Sequence, residues 1–233
     1  MTVHGWLRYA VFRRLLPLDV ESILEIGAGL GAFGVRLAKE FRYTGLEPDV
    51  ESFRVAKHRF DGVLPLAEED YQAPESFDAV CAFEVLEHIE EDEEALRRWR
   101  RHVRPGGWIL LSVPQGKRFR PSDERQGHFR RYRRDQLQGK LERAGFSDVH
   151  LVSYGFPVGY ALLAWSDCVA KRNIGPERLE DRTAASARWM QPSPREATFR
   201  RAAAIPLDLM QRPFGSTGLG TGLVARARAL EGA

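Results

Sequence analysis

The feature that most constrains the fold is a short apolar strand followed at once by a glycine-rich turn. Residues 22–26 read Ser-Ile-Leu-Glu-Ile, and residues 27–31 read Gly-Ala-Gly-Leu-Gly. Glycines at this spacing let the chain turn sharply and let backbone N–H groups approach a ligand without a Cβ in between. The pattern predicts a strand, a ligand-binding loop and then a helix to about Glu40.

An acidic residue after the loop indicates a ribose-binding position. Glu47 ends the next apolar segment, where a carboxylate can accept hydrogen bonds from two ribose hydroxyls. Gly27, Gly29 and Ala32 also satisfy a dinucleotide-binding pattern, so these residues alone leave a nicotinamide cofactor open. Glu25, two residues before the first glycine, favours a ligand with a cationic amine, because a pyrophosphate would gain nothing from a carboxylate there.

Apolar segments alternate with helical segments along much of the chain. This alternation predicts an α/β fold, a Rossmann-like doubly wound sheet of about seven mostly parallel strands with helices on both faces. We treat residues 1–233 as a single domain with an N-terminal helix in 1–20 and a helical insertion or lid at 155–214. The further predicted strands are 43–46, 62–66, 77–82, 108–113, 149–153 and 222–229, and the further predicted helices are 92–104 and those opened by Pro48 and by Asp135 as N-cap.

The bulk properties exclude several classes of protein. No apolar run approaches the roughly 20 residues that span a bilayer, and the N-terminus lacks the apolar stretch of a signal peptide. The two cysteines, Cys81 and Cys168, form neither a disulfide framework nor a zinc spacing, so we expect a cytoplasmic protein. The net charge is only +3 despite a pI near 9.0, and we therefore do not expect a nucleic-acid partner.

Five sequence blocks in the right order resemble the class I S-adenosylmethionine-dependent methyltransferases over about residues 20–153. The stretch Glu-Val-Leu-Glu-His also resembles the small-molecule branch of that family, which includes quinone and natural-product O-methyltransferases. The resemblance implies S-adenosylmethionine as the cofactor. The blocks are residues 24–31, 45–49, 77–80, 84–88 and 104–107.

The resemblance also implies roles for individual residues. The glycine loop would shape the pocket for the methionine part of the cofactor, Glu25 would help to bind its amino group, and Glu47 would hold the ribose. An acid after the third strand would meet the adenine amine, and here Glu68, Glu69 or Asp70 are candidates. The full set of cofactor-binding candidates is Glu25, Gly27, Ala28, Gly29, Gly31, Glu47, Pro48, Glu68, Glu69, Phe83 and Glu84.

Two histidines and one tyrosine are candidates for acceptor chemistry. A hydroxyl or amine acceptor must lose a proton, and His128 or His88 could take it. His88 could instead pack against the sheet. Tyr132 could contact the substrate or the sulfonium, since aromatic faces attract cations. We predict no metal site.

The expected acceptor-side cover combines arginines with an apolar segment. The arginines could form a solvated surface, an anion-binding lid or an RNA contact. We do not expect RNA binding, because no RNA-binding domain accompanies them. The apolar segment 156–170 packs on the sheet, covers an acceptor pocket or forms an external contact. The arginines are Arg118, Arg120, Arg125, Arg130, Arg131, Arg133 and Arg134.

The sequence therefore predicts methyl transfer to a small molecule, on oxygen, in bacterial cofactor or natural-product metabolism. The acceptor would carry an anionic part and an apolar part. Two other functions stay open at this point, an RNA methyltransferase and an NAD-linked oxidoreductase or epimerase. The oligomeric state and the acceptor's identity do not follow from the sequence.

Overall fold

One sheet of seven strands organises the part of the chain that the computed structural model describes, which is residues 1–157, 159–160, 168 and 205–231. The strand order is β3-β2-β1-β4-β5-β7-β6, and β7 runs antiparallel to both of its neighbours. This confirms the predicted Rossmann-like fold. The strands are β1 Ser22–Ile26, β2 Arg42–Leu46, β3 Val63–Leu64, β4 Phe77–Phe83, β5 Val103–Pro114, β6 Phe146–Tyr154 and β7 Gly222–Ala229.

Helices cover both faces of the sheet, and three short 3-10 turns lie between elements. Asp49 caps α3 by accepting a 2.8 Å hydrogen bond from the backbone N–H of Ser52, which satisfies one of the free donors of its first turn. Residues 205–211 are also helical. The helices are α1 Val3–Leu15, α2 Gly34–Leu37, α3 Val50–Arg59, α4 Asp92–His102, α5 Pro121–Gln126 and α6 Arg134–Arg143, and the turns are Glu68–Asp70, Leu86–His88 and Arg212–Phe214.

Alternation along β5 divides the core into two layers. Ile109 and Leu111 point to the face covered by α4 and α6, whereas Leu110 points to the face covered by α1. Trp99 of α4 fills the first layer and Phe12 of α1 fills the second, both almost fully buried. Burial of side chains of this size is worth roughly 1.5–3 kcal/mol each, so α1 is an integral part of the domain.

The carboxyl ends of β1 and β4 meet at the point where the strand order reverses. β1 pairs in parallel with β2 on one side and with β4 on the other, so successive crossovers leave on opposite faces. Such a reversal opens a crevice at the carboxyl edge, where ligands of doubly wound sheets bind.

Several predicted boundaries are wrong, each for a local reason. The helix after the glycine loop is only Gly34–Leu37, because bonds such as Glu40 N–H to the Leu37 carbonyl tighten the chain into turns. Strand β5 starts at Val103 rather than at Trp108 because Val103 pairs with Phe77 before a register shift. Helix α5 lies between the predicted strand 108–113 and the predicted helix at Asp135, where no element was predicted.

The N-cap of α6 is Arg133 and not the predicted Asp135. The side chain of Gln136 accepts a 3.2 Å hydrogen bond from the backbone N–H of Arg133, which satisfies the N-cap donor two residues before Asp135. Asp135 then lies in the first turn, where its charge favours the helix dipole.

The predicted lid at 155–214 falls mostly outside the described residues. Of it, the structure describes 155–157, 159–160, 168 and 205–214, so the predicted apolar helix at 156–170 is not tested. Among the described helices, none combines the length and apolar character needed to cross a membrane.

Candidate active site

The glycine loop lies at the carboxyl end of β1, and three of its glycines have left-handed backbone angles. The φ angles of Gly27, Gly29 and Gly31 are 69°, 55° and 72°. A Cβ on Gly27 would stand 2.5 Å from a methyl carbon of Val85, whereas a Cβ on Gly29 would meet nothing within 4 Å. Gly27 is therefore required for close packing against the loop after β4, and Gly29 faces open space beside the predicted ribose position.

Glu47 lies at the tip of β2 and joins the loop. One carboxylate oxygen accepts a 2.6 Å hydrogen bond from the Gly29 N–H, and the other accepts a 2.9 Å bond from the Asp49 N–H. Burial raises the pKa of Glu47, and the two backbone hydrogen bonds oppose that rise. Each oxygen keeps a second lone pair, so the carboxylate can still accept hydrogen bonds from neighbouring hydroxyls.

Glu25 is buried on β1 and has one hydrogen-bonding side chain among the described residues. The hydroxyl of Tyr43 donates a 2.6 Å hydrogen bond to its carboxylate. Burial raises the pKa of Glu25 to about 8, although the phenol hydrogen bond and the Arg8 charge act against the rise. A buried carboxyl with this little compensation is suited to a cationic ligand group.

Glu84 directly follows β4 and forms an ion pair with Arg8 of the N-terminal helix. Its carboxylate lies 3.1 Å from the Arg8 guanidinium and accepts hydrogen bonds from Ser112 Oγ at 3.0 Å and Tyr154 OH at 3.2 Å. Its φ of 58° is strained for a residue with a side chain, and these contacts hold it there. The sequence analysis did not identify Arg8 because nothing local distinguishes it from the other arginines of α1.

His4 closes the same network on the outer side. Its ring lies 5.0 Å from the ring of Tyr154, and Nε2 is 2.8 Å from the hydroxyl of Thr221 on the approach to β7. Burial lowers the pKa of His4 to about 4, against the charge of Glu84. A neutral His4 and a charged Arg8 thus attach α1 to the carboxyl edge of the sheet.

Glu87, His88 and His128 form a cluster beside this edge. The cluster is the group of these three side chains, whose candidate ligand atoms all lie within 4.8 Å of one another. Glu87 is fully buried, and neither of its carboxylate oxygens has a hydrogen-bond partner within the described chain. The His88 and His128 rings are 4.7 Å apart and nearly perpendicular, and His128 Nε2 lies 4.0 Å from Glu87 Oε1. Burial and the Glu84 charge raise the pKa of Glu87.

A buried ion pair holds His128 in position from behind. His128 Nδ1 lies 3.1 Å from Asp123 Oδ1, and Arg131 Nε lies 2.6 Å from Asp123 Oδ2. Burial alone would raise the pKa of Asp123, but the bonds from His128 and Arg131 lower it to about 2. Asp123 belongs to α5, a helix that was not predicted, and nothing in the local sequence marks it as a partner of His128.

Tyr132 does not face the site in this structure. It is 1% exposed, and its hydroxyl donates to Asp92 Oδ2 at 2.8 Å, with the Leu86 carbonyl at 3.3 Å. Burial and the Asp92 charge raise its pKa. This geometry does not support a catalytic contact; the ring fills the core between β5 and α4.

The other predicted cofactor-binding residues differ in their burial and in the partners of their side chains. Glu68 has both carboxylate oxygens occupied, by Arg98 at 3.1 Å and His102 at 2.9 Å, whereas Glu69 is exposed. Phe83 packs into the core, with its ring 4.3 Å from that of Phe33. Pro48 is exposed and Ala28 is buried.

Four of the predicted anion-binding arginines have partners within the chain. Arg130 pairs with Asp92 at 2.7 Å, and Arg133 pairs with Asp135 at 2.8 Å. Arg134 donates to the Leu151 carbonyl at 2.7 Å, and Arg131 pairs with Asp123 as described above. These contacts favour a structural role over an anion-binding lid for the four.

Comparison with known proteins supports a methyl-transfer site. Residues 6–151 match a family model described as a methyltransferase domain. A ubiquinone biosynthesis O-methyltransferase of Chromobacterium violaceum is 33% identical over 116 residues, covering 46% of this chain and 50% of that protein. The corresponding enzyme of Paracidovorax citrulli is 31% identical over 120 residues, covering 46% and 49%. The chain thus spans about half the length of these relatives.

Solved structures share the fold over nearly the whole chain. A methyltransferase of Thermotoga maritima described as a possible histamine N-methyltransferase has a TM-score of 0.61 at 18% identity, covering 97% of this chain and 89% of that one. Phosphoethanolamine N-methyltransferase 2 of Haemonchus contortus, in complex with S-adenosyl-L-methionine, has a TM-score of 0.60 at 17% identity, covering 98% and 56%. At these identities the similarity shows the fold alone.

Proposed function

The chain belongs to the class I S-adenosylmethionine-dependent methyltransferases, and on that basis we propose that it methylates a hydroxyl of a small-molecule acceptor. The O-methyltransferase relatives support oxygen as the target atom and cofactor biosynthesis as the context. Membership of this family disfavours the NAD-linked alternative, for which the glycine loop was the main argument.

The residues at the carboxyl edge of β1 and β2 fit the cofactor. Gly29 leaves open space beside Glu47, whose carboxylate would accept from the ribose hydroxyls. Glu25 would receive the ammonium group, for which a buried carboxyl with one partner is suited. When bound, the cofactor supplies an electrophilic methyl group on a sulfonium, and the protein's part is to position the acceptor and exclude water.

The observation that carries the acceptor chemistry is the buried carboxyl of Glu87, which lies beside two imidazoles and has no hydrogen-bond partner in the described part of the chain. We propose that Glu87, His88 and His128 together bind a divalent cation, although the sequence predicted none. A carboxylate and imidazoles are common ligands of such ions. The hydrogen bond between Asp123 and Nδ1 of His128 resembles those by which a carboxylate behind a metal-binding histidine fixes the orientation of its ring. A bound cation lowers the pKa of an attached hydroxyl, which would let a phenol lose its proton near neutral pH.

Apolar side chains near the same edge favour an acceptor with an apolar part. Phe119 and Phe129 are about half exposed, and the Phe129 N–H donates to the Glu87 carbonyl, which places the backbone of Phe129 next to the cluster. An anionic part of the acceptor would meet Arg118 or Arg125 more readily than Arg130, Arg131, Arg133 or Arg134, because those four have the partners described above.

A methyl-transfer assay with labelled S-adenosylmethionine tests this function. The panel contains phenols and catechols with apolar tails, matched amines, and a structured RNA, each assayed after chelation and again with added Mg²⁺, Mn²⁺ or Zn²⁺. Transfer to phenolic hydroxyls that returns on adding one cation supports the proposal. Transfer to amines or RNA alone overturns the acceptor class, and full activity in chelator overturns the cation and leaves His128 as the proton acceptor.

A further inference from the structure

Tyr43 occupies a pocket that two glycines create beside Glu25. Tyr43 and Glu25 lie on the same face of neighbouring strands, with Glu25 directly opposite Gly45 in the β1–β2 register. A Cβ on Gly45 or on Gly34 would stand 2.6 Å from the Tyr43 hydroxyl oxygen. Only glycine at both positions therefore lets the phenol cross the strand and reach the Glu25 carboxylate.

The surroundings of Glu25 contain little to stabilise its charge. The titratable and charged groups that act on it are Arg8 on α1, Tyr43 on β2, Glu47 after β2 and Cys81 on β4. Glu47 opposes ionisation of Glu25, and Cys81 is a buried thiol with a raised pKa. Arg8 is committed to Glu84 at 3.1 Å, so the Tyr43 hydroxyl is the direct hydrogen-bond partner of Glu25.

We propose that Tyr43 positions a protonated Glu25 in the cofactor-free protein, and that Glu25 releases this proton when the cofactor's ammonium group binds. The inference rests on the proposed function, since it concerns the ammonium of S-adenosylmethionine. The balance is one proton leaving the Glu25 carboxyl for solvent as the ammonium, already protonated at pH 7, takes its place. The phenol keeps one carboxylate oxygen fixed, so the other points to the ligand.

The raised pKa of Glu25, about 8, agrees with this assignment. At pH 7 a carboxyl with that pKa is mostly neutral, whereas an ordinary Glu is ionised. Below pH 8 cofactor affinity should therefore rise with pH, because the proton must leave before the ion pair forms. A ligand without the amino-acid end should show no such dependence.

Calorimetry with S-adenosylhomocysteine in two buffers of different ionisation enthalpy measures the proton release. At pH 7 we expect release of about one proton per S-adenosylhomocysteine bound and about none for methylthioadenosine, which lacks the amino group. Glu25→Gln should abolish the proton release and weaken the binding of S-adenosylhomocysteine at least tenfold, while the affinity for methylthioadenosine stays unchanged. Glu40→Gln is the matched control, because Glu40 lies half exposed and pairs with Arg13.

The variant Tyr43→Phe separates positioning from packing. It should weaken the binding of S-adenosylhomocysteine by about three- to tenfold and leave the affinity for methylthioadenosine unchanged, with proton release retained. A general packing defect would weaken both ligands alike and so contradict the positioning role. Binding of S-adenosylhomocysteine without proton exchange in the wild type overturns this inference and leaves the proposed function standing. Failure of both ligands to bind overturns the proposed function and the inference together.

Discussion

The Nδ1 atom of His128 lies 3.1 Å from Oδ1 of Asp123, at the back of the Glu87–His88–His128 cluster. Asp123 is ionised through its ion pair with Arg131, so it can only accept a hydrogen bond, and the Nδ1 of His128 carries the proton that it donates. The opposite ring nitrogen, Nε2, is thereby directed toward Glu87. The pair thus decides which nitrogen of His128 is available for acceptor chemistry.

Replacing His128 with Ala should lower turnover by about 10²-fold or more and leave cofactor binding intact. The reason is that His128 either ligates the proposed cation or accepts the acceptor's proton, and neither role touches the cofactor. Turnover on a phenolic acceptor and calorimetry with S-adenosylhomocysteine measure the two effects. His58→Ala on the exposed face of α3 is the control. Turnover equal to that of the control would remove His128 from the reaction.

The variant Asp123→Asn tests the orientation of His128 without removing the imidazole. We expect turnover to fall about tenfold, because a neutral amide holds His128 less firmly and leaves the Arg131 charge without its partner. Glu124→Gln, at the exposed next position, is the matched control. Steady-state kinetics measure the loss of turnover, and a thermal melt measures any loss of stability. A lower stability with unchanged turnover per folded molecule would argue against an orienting role.

Glu47→Ala should weaken cofactor affinity at least tenfold. Two charge-assisted hydrogen bonds to ribose hydroxyls are worth roughly 1.5–3 kcal/mol each. Calorimetry with S-adenosylhomocysteine checks this, and Glu51→Ala, at an exposed position in the first turn of α3, is the control. An unchanged dissociation constant in a folded Glu47→Ala protein would show that the ribose binds elsewhere.

Tyr132→Phe should reduce stability and spare activity. The substitution removes the buried 2.8 Å hydrogen bond to Asp92, which is worth about 1–2 kcal/mol with a charged acceptor. Denaturant unfolding measures the loss, and Tyr160→Phe, at a partly exposed position, should change stability by less than about 0.5 kcal/mol. A large drop in turnover for Tyr132→Phe at full folding would restore the catalytic role predicted from the sequence.

Asp78→Asn should lower stability at neutral pH and have no effect in acid. Asp78 accepts from the Ser22 N–H at 2.8 Å and from Arg104 at 2.6 Å. Although partial burial opposes the change, these bonds lower its pKa to about 2. A carboxylate with a depressed pKa stabilises the fold above its unfolded pKa near 3.8, and that stabilisation is lost as pH falls through about 2.

The expected size of this effect is about 1–2 kcal/mol at pH 7, after allowance for solvent screening. Unfolding curves measured from pH 7 down to pH 2 should therefore converge for the wild type and Asp78→Asn. The exposed Asp70→Asn is the control and should follow the wild type throughout. Curves that stay parallel over the whole range would show that Asp78 acts through packing rather than charge.

Local chemistry determined the cofactor half of this protein. The apolar run before Gly27, the glycines themselves and the acid at Glu47 are close in sequence and act through backbone geometry, which depends on neighbouring residues. Short apolar runs likewise predicted all seven strands, because the strands of a sheet covered on both faces are mostly apolar. The errors lie at ends such as that of β5, where pairing with a distant strand decides the boundary.

Only the tertiary structure decided the acceptor half. His88 and His128 are 40 residues apart in sequence numbering, and the contact between their rings arises because the loops after β4 and β5 meet at one edge of the sheet. Among the residues that the structure describes, burial leaves the Glu87 carboxylate without a hydrogen-bond partner and turns Tyr132 toward Asp92, and neither outcome has a local signature. The physical reason is that desolvation and long-range pairing depend on what the folded chain brings near each group, which the order of residues does not show.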